Sequence, residues 1–337
     1  MSKINLTYIN EKVLKKMGKI YTEEDLEYDE ILHDGSFLLD KNGNRIGTKG
    51  DFNNKMIIEK ILLEGCWDEY PRPHYEDDEP AHSISLNNAI HWTYDLSKNE
   101  SPLITVAPVD IDTALGEMFW IYKDQSSDLN LLNKRYHVST YDKYDLLDKD
   151  GKPKRDIGST YGAIIKNYNL MNKLLIELVN KPDSRSHILD MWQEEDLLFP
   201  HGLKPCVYAT GWNVRHERDG KDYLDMKLFQ RSCDLLLYGP SNQIQHVALL
   251  QMVAQAIKIN PGRFTWDVQN VHIYDRNIAQ AVEELRREPV DCEPHLVLND
   301  KIDDFYEFKP EDIHVEDYPK QKIMTKNPEI KFNSWII

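Results

Sequence analysis

Four thiols are the first side chains in the sequence that could carry out chemistry. They are Cys66, Cys206, Cys233 and Cys292, and no two of them form the CxxC spacing of a zinc or redox motif, which indicates free thiols. Cys206 follows Pro205 at the start of a strand-like run. A lone cysteine in such a run is more often a buried core residue than a nucleophile, so composition alone assigns it no role.

The charge balance limits the partners of the chain. With 41 basic residues against 57 acidic ones, the formal net charge of the 337 residues is −16. Nucleic-acid binding needs a basic face, so we do not expect it, and a phosphate group would have to be held by a few placed arginines. No apolar run approaches the roughly 20 residues that cross a bilayer, and the N-terminus lacks a secretory signal. We therefore expect a cytoplasmic protein without membrane contact.

The elements that must position these groups begin after a polar N-terminal stretch. Residues 1–55 show no long periodic apolar pattern, and we interpret them as an N-terminal extension of unknown role. Residues 56–337 would form the main domain. Its first helix is predicted over residues 56–63 and would end at Gly65, where glycine suits a left-handed cap.

Apolar periodicity predicts an alternation of helices and strands through the rest of the chain. Helical spacing occurs in residues 110–123, 167–181, 242–257 and 272–288, with Asp110 or Asp112 capping the first and Pro182 ending the second. Strand-like runs occur in residues 81–96, 101–109, 296–308 and 311–318 and in a hairpin between 205 and 237. The pattern predicts an α+β fold with a single main mixed β-sheet packed with helices.

Five short motifs in a fixed order add a second kind of information. They are PDSR at 182–185, LKPCVY at 203–208, QRSCD at 230–234, GPSN at 239–242 and HIY at 272–274. Together they resemble the thymidylate synthase family, from about residue 56 to the C-terminus, and an asparagine eight residues after the aspartate of QRSCD is a specific arrangement. PCVY, EPAHSIS at 79–85 and GEMFWIY at 116–122 resemble one bacterial and phage branch of it. The resemblance implies a fold that dimerises through its sheet, and the host cytoplasm as location if the chain is phage-encoded.

The resemblance also implies catalytic roles. Cys206 would add as a thiolate to C6 of the uracil ring, and Arg231 would help a thiol whose ordinary pKa is about 8.5 to ionise. Glu117 would organise water and proton transfer, and Tyr161 would supply an active-site hydroxyl. Asp234 would contact the pterin of the folate.

The nucleotide dUMP is the implied substrate. Arg231, Ser232 and Arg185 would bind its phosphate, with Arg72 as a further loop contribution, because the arginine fork donates to phosphate bidentately. Arg185 would come from the other subunit of a homodimer. Asn242 would pair with the uracil edge, and this position is aspartate in cytosine-specific relatives. His272 and Tyr274 would hydrogen-bond the sugar 3′-hydroxyl.

The cosubstrate implied is 5,10-methylene-tetrahydrofolate, without a metal. Its site departs from the family pattern: Thr105, Val106 and Ala107 replace TTK, and Tyr141 and Tyr144 replace the tryptophans of WDxW. Tyr238 stands where glycine is usual, and Ser186 replaces the second arginine of SRR. The residues predicted to bind folate are Asp234, Tyr141, Tyr144, Tyr238, Leu203 and Trp335.

The motif residues for the nucleotide match the family, whereas those for the folate differ from it. Three functions are compatible with this contrast. The first is reductive methylation of dUMP to thymidylate. The second is a dUMP hydroxymethylase making 5-hydroxymethyl-dUMP, in which water captures the methylene intermediate because the first tryptophan of WDxW no longer shields it. The third is a diverged nucleotide-binding homologue without catalysis, against which the kept cysteine argues. Dihydrofolate is a product of the first only.

Overall fold

The main sheet of the computed structural model has seven strands, and the structure describes residues 3–4, 23–197, 203–218, 220–319 and 330–331. The strands are β1 (Cys66–Trp67), β2 (Ser83–Asp95), β3 (Ile188–Asp190), β4 (Val207–His216), β5 (Asp222–Gln230), β6 (Cys233–Asp234) and β7 (Asn260–Tyr274). Their order is β1-β2-β7-β5-β4-β3, and β6 also pairs with β7. The strands β5 and β6 run parallel to β7 and the other pairs are antiparallel, so the sheet is mixed, as predicted.

Helices pack against this sheet. They are α1 (Lys49–Glu64), α2 (Ile111–Met118), α3 (Leu129–Tyr136), α4 (Gly162–Asn167), α5 (Leu170–Asn180), α6 (Leu235–Ala256) and α7 (Ile278–Arg286). A π-helical turn at Phe119–Lys123 continues α2, and single turns lie at Glu23–Leu26 and Glu194–Leu197. Short strand pairs join Tyr28–Asp29 to Lys3–Ile4, Leu38–Leu39 to Arg45–Ile46, His74–Tyr75 to Ile330–Lys331 and His295–Leu298 to Ile313–Glu316.

The central helix α6 packs against both β7 and α2. Residues 243–250 are buried without interruption, which is why an apolar sequence forms most of this helix. Asp234 begins the helix as its cap by accepting a hydrogen bond from the backbone N–H of Leu237. The predicted buried helix and the predicted β4–β5 hairpin are confirmed.

The segment 101–109 was predicted to be a strand, and this prediction is wrong. The segment is irregular but buried through residue 107. The carboxylate of Asp51 accepts hydrogen bonds from the backbone N–H groups of Thr105, at 2.6 Å, and Val106, at 3.1 Å. These backbone groups therefore find a side-chain partner inside the core in place of a neighbouring strand.

Helix α1 also differs from its prediction. It begins at Lys49 because Thr48 and Asp51 form a capping box, in which each side chain accepts from the backbone of the other. Gly65 ends it with φ −66°, which is extended backbone and not the left-handed cap predicted. The predicted division between residues 55 and 56 falls inside this helix.

A buried carboxyl on α7 makes the stability of the fold depend on pH. Glu284 accepts a hydrogen bond from Asn54 Nδ2 at 2.8 Å, and burial raises its pKa from 4.5 to about 7. Because the folded pKa lies above the unfolded one, the contribution to stability is complete below about pH 4.5 and is lost as the pH rises through about 7.

Glu284→Gln keeps an acceptor for Asn54 and removes the titration. We expect the loss of unfolding free energy between pH 4.5 and 7.5 to shrink by about 1–3 kcal/mol, measured by urea denaturation at both values. Glu311→Gln, at an exposed position, serves as control and should leave the pH dependence unchanged. An unchanged slope in Glu284→Gln would show that this carboxyl is already ionised in the folded protein.

Candidate active site

The thiol of Cys206 lies in a bend directly before β4, half-buried and tied to two other elements. Its backbone N–H donates to the hydroxyl of Tyr161 at 2.9 Å, and its carbonyl accepts from the N–H of Arg231 at 2.8 Å. Tyr161 itself has φ 44° and ψ −112°, an uncommon backbone conformation for a residue other than glycine. The structure therefore holds the backbone of residue 206 in place from both sides.

A guanidinium group lies beside this sulfur. Arg231 Nη2 is 4.0 Å from Cys206 Sγ. The same guanidinium donates to the carbonyls of Pro205, at 3.0 Å, and Lys204, at 2.8 Å, and lies over the ring of Trp192. These contacts fix a positive charge next to the thiol, as nucleophilic cysteines require, and leave Nη1 without a hydrogen bond among the described residues.

A buried carboxyl, Glu117 on α2, is held at both of its oxygens. Thr140 Oγ1 donates to Oε1 at 2.5 Å, and Gln245 Nε2 donates to Oε2 at 2.7 Å. Burial raises the pKa of Glu117 to about 7, although both hydrogen bonds act to lower it. A carboxyl with a pKa near neutrality can both release and accept a proton during a reaction.

Five tyrosine hydroxyls lie within electrostatic range of Cys206. They belong to Tyr141, Tyr144, Tyr161, Tyr238 and Tyr274, and burial raises the pKa of each well above its ordinary value. A negative charge on Cys206 would raise each of the five pKa values further, because all five hydroxyls lie within electrostatic range of that residue. The ring centroid of Tyr141 is 5.9 Å from that of Tyr161 and 6.2 Å from that of Tyr144.

The start of α6 contributes polar groups without partners. Asp234 is buried, its Oδ2 has no hydrogen bond, and burial raises its pKa to about 7. The half-buried side chains of Ser232 and Asn242 make no side-chain hydrogen bond within the described part of the chain. These groups can receive a polar ligand.

Two further predicted residues lie at the end of β7. The rings of His272 and Tyr274 pack edge to face with centroids 5.2 Å apart. Burial lowers the pKa of His272 to about 4, so the ring is neutral at pH 7. Its Nδ1 lies 2.9 Å from Asn270 Oδ1, an acceptor, so Nδ1 carries the proton and Nε2 can accept from a hydroxyl group.

Of the remaining predicted residues, the structure describes Leu203, Arg72 and Arg185. Leu203 is buried, and its carbonyl accepts from Thr160 Oγ1 at 2.6 Å. Arg72 is exposed in the loop between β1 and β2, and Arg185 is exposed in the turn before β3. Arg185 makes no side-chain hydrogen bond or ion pair with the part of the chain that the structure describes. Trp335 lies outside the described residues.

Sequence reasoning missed Thr140, Gln245 and Trp192, which contact Glu117 or Arg231. It also missed His246, whose Nδ1 lies 2.6 Å from the carbonyl of Asn242 and whose Nε2 lies 2.9 Å from the hydroxyl of Tyr122. Polar residues inside a buried helix must find hydrogen-bond partners, and Gln245 and His246 carried that signal.

Neither a membrane-spanning helix nor a metal cluster occurs among the described residues. No described helix is long and apolar enough to span a bilayer. The same residues contain no group of three or more His, Cys, Asp or Glu side chains placed to hold a metal ion.

The site combines a half-buried thiol beside a guanidinium with a buried, hydrogen-bonded carboxyl, and these are side chains that a thiol-dependent enzyme can use. A family model described as thymidylate synthase matches residues 54–330. Thymidylate synthases of Streptococcus mutans and Lactococcus lactis are 40% and 39% identical to the chain, and each alignment covers 85% of this chain and 99% of the relative. The solved thermostable thymidylate synthase A from Bacillus subtilis has a TM-score of 0.74 at 30% identity, covering 83% of this chain and 99% of that one.

The chain therefore belongs to the thymidylate synthase family, a family of methyltransferases, and the resemblance predicted from the five motifs is confirmed. The α+β fold class is confirmed as well.

Proposed function

We propose that the chain is a thymidylate synthase, converting dUMP and 5,10-methylene-tetrahydrofolate to thymidylate and dihydrofolate. Among its contacts, the 4.0 Å approach of Arg231 Nη2 to Cys206 Sγ carries the proposal, because it supplies the fixed charge that a thiolate nucleophile needs. The family membership supports both the substrate and the cosubstrate.

In the proposed reaction, the Cys206 thiolate adds to C6 of the uracil ring, and the π electron pair of the C5=C6 double bond moves to C5 and O4. The enolate carbon C5 attacks the methylene carbon of the folate as one of the two C–N bonds of that carbon breaks, and the freed nitrogen takes up a proton. Loss of the C5 proton and departure of tetrahydrofolate leave an exocyclic methylene group. Hydride transfer from tetrahydrofolate then makes the methyl group, and the thiolate leaves C6. Glu117, with a pKa of about 7, would move protons through water near the ring.

The groups without partners fit the parts of the nucleotide. Arg231 Nη1 and the hydroxyl of Ser232 would bind the phosphate, with Arg72 and a partner's arginine completing the site. The amide of Asn242 would both donate to and accept from the uracil edge. The Nε2 atom of the neutral His272 would accept from the sugar 3′-hydroxyl, next to Tyr274.

Replacing Asn242 tests the uracil pairing. Asn242→Asp presents two acceptors, which suit the amino group of cytosine, so we expect the preference for dUMP over dCMP to fall about tenfold or more, since an unpaired buried polar edge costs about 1–3 kcal/mol. Competition between the two nucleotides measures it. Ser241→Ala, at the neighbouring position, is the control and should keep the wild-type ratio. Unchanged selectivity in Asn242→Asp would remove this residue from the base site.

The proposal of a folate site depends mainly on Asp234. Its buried Oδ2 has no partner, and a pterin presents N–H donors that would satisfy it. Tyr141, Tyr144, Tyr238 and Leu203 would form the wall around the folate, and the C-terminal Trp335 would close over it. A carboxyl whose pKa is raised to about 7 would gain most from such donors, because they favour its charged form.

We further propose a homodimer in which Arg185 serves the partner's site. The exposed side chains of Ile176, Val179 and Ile188 lie on α5 and β3, the elements that flank this arginine. Aliphatic residues exposed around a charged one are typical of a protein interface. On β7, Trp266 is buried, whereas Asp267, on the opposite face of the sheet, stays partly exposed, which leaves a sheet face for the partner. The proposed location is the cytoplasm, of the host if the chain is phage-encoded.

A hydroxymethylase is the second candidate, because Tyr141 and Tyr144 stand where tryptophans are usual. Water that reaches the methylene intermediate would give 5-hydroxymethyl-dUMP and tetrahydrofolate. A difference of about 1.4 kcal/mol between the two barriers changes the product ratio tenfold. The shielding around the intermediate therefore decides the product.

Tyr141 is expected to control this partition. Its ring lies 5.3 Å from that of Trp120 and contacts Tyr144, so a smaller side chain opens the wall. Tyr141→Ala should raise the hydroxymethyl fraction and Tyr141→Trp should raise the thymidylate fraction, measured by mass spectrometry of the nucleotides. If neither substitution moves the ratio, Tyr141 does not limit water access.

One incubation tests the proposed function. The purified chain is mixed with dUMP and 5,10-methylene-tetrahydrofolate, and the nucleotide is analysed by mass spectrometry while dihydrofolate is followed by absorbance. Thymidylate with an equal amount of dihydrofolate supports the proposal. A hydroxymethyl product without dihydrofolate supports the second candidate, and no conversion would exclude both.

A further inference from the structure

We propose that Thr140 and Gln245 are positioning residues that hold Glu117 in one orientation and set its proton affinity, so that they control the pH range in which the enzyme turns over. This inference rests on the proposed function, because Glu117 is its proton-transfer group.

The geometry gives each oxygen of Glu117 its own donor. The Thr140 hydroxyl binds Oε1 and the Gln245 amide binds Oε2, so rotation of the carboxyl group about its last bond breaks both contacts. Glu117 and Gln245 are buried, with 6% and 4% of their surfaces exposed. No basic side chain within the described residues pairs with Glu117, so neutral donors alone stabilise its charge. The titratable groups within electrostatic range of Glu117 are Asp110, Tyr141 and Tyr238, and the variants below leave all three in place.

Each donor ties the carboxyl to a different part of the proposed site. Gln245 follows Asn242 by three residues on α6, so both lie on neighbouring positions of one helix face. Thr140 directly precedes Tyr141, the residue at the start of the proposed folate wall. The carboxyl is thus connected to the uracil side through one donor and to the folate side through the other.

Removing one of these hydrogen-bond donors changes the pKa of Glu117 in a predictable direction. A hydrogen bond to a carboxylate favours the charged form, so losing it raises the pKa of the carboxyl. If the reaction needs the carboxylate, the acidic limb of the pH profile moves to higher pH, and if it needs the acid, the alkaline limb moves to higher pH. The shift is upward in both cases, by about one pH unit for each donor.

The variants are chosen to keep shape while removing the donor. Thr140→Val replaces the hydroxyl with a methyl group, and Gln245→Met replaces the amide with an apolar chain of similar length. Thr140→Ser keeps the hydroxyl and should restore the wild-type profile. Ser139→Ala, at the exposed neighbouring position, is the matched control.

The experiment measures kcat/KM for dUMP from pH 5 to 9, with dUMP binding measured by calorimetry. We expect the limb nearest neutrality to move upward by about one unit in Thr140→Val and Gln245→Met, with dUMP affinity within about twofold of wild type. Thr140→Ser and Ser139→Ala should overlay the wild-type profile.

The remaining outcomes distinguish a failure of this proposal from a failure of the proposed function. An active wild-type enzyme whose profile stays unshifted in both donor-removing variants overturns the proposal and leaves the proposed function intact. A wild-type protein that makes no product from dUMP fails the proposed function itself. If Gln245→Met does not fold, the comparison of Thr140→Val with Thr140→Ser tests the proposal. A merely structural role of Thr140 would lower the activity of Thr140→Val without shifting its pH profile, and serine would not restore the activity.

Discussion

Cys206→Ser is expected to fold, to bind dUMP and to lose turnover by about a thousandfold or more, as losses of a covalent nucleophile do in other enzymes. The oxygen of serine stays protonated at neutral pH, and a nearby guanidinium does not supply the base that a hydroxyl nucleophile requires. The backbone contacts of residue 206 to Tyr161 and Arg231 do not use the sulfur, so the variant keeps them. Release of dihydrofolate measures turnover, and calorimetry measures dUMP binding.

The other thiols are the controls for this result. Cys66 is exposed and Cys292 is half-buried, so Cys66→Ser and Cys292→Ser should keep near-normal activity. Cys233 is buried, its Sγ contacts the carbonyl of Asp234 at 3.5 Å, and burial raises its pKa well above the ordinary value, which keeps the thiol neutral. Normal activity of Cys206→Ser together with inactivity of Cys233→Ser would show that the nucleophile has been misassigned.

The strands and helices that sequence reasoning predicted well are those in which local pattern and burial agree. Helix α5 places Leu174 and Leu178 in the core, and α6 is predominantly apolar because most of it is buried. The strand prediction for segment 101–109 is wrong for the opposite reason. Its β-branched, apolar residues are buried, but their backbone groups bond to Asp51, more than fifty residues earlier in the chain, and no local pattern reports such a contact.

In the candidate site, too, sequence reasoning found some residues and missed others. Motif resemblance located Cys206, Arg231, Asp234 and Asn242, which lie close together along the chain or at the ends of adjacent elements. The three-residue contact of Glu117, Thr140 and Gln245 joins positions separated by 23 and 128 residues, and it forms only when α2 packs on α6. Thr140 has no sequence signal, because a threonine beside a tyrosine in a loop is common.

The largest gain of activity is expected from mixing two inactive proteins, Cys206→Ser and Arg185→Ala. If Arg185 binds the phosphate in the partner's site, each protein alone lacks one essential group in both of its sites. In a hybrid dimer, one site receives both defects and the other receives neither, because Cys206 acts in its own subunit and Arg185 acts in the other. An equal mixture should therefore recover about a quarter of the wild-type activity, since half of the dimers are hybrids with one intact site each.

A matched control separates this exchange from other causes of recovery. The double variant Cys206→Ser/Arg185→Ala replaces Cys206→Ser in the mixture with Arg185→Ala. The hybrid then contains no subunit that can donate Arg185, so no site is complete and activity should stay at the level of Arg185→Ala alone. Subunit exchange is monitored in both mixtures by native mass spectrometry. Hybrids that form without recovery in the first mixture would mean that Arg185 acts within its own chain or not at all, and the exposed side chains of Ile176, Val179 and Ile188 would then need another partner.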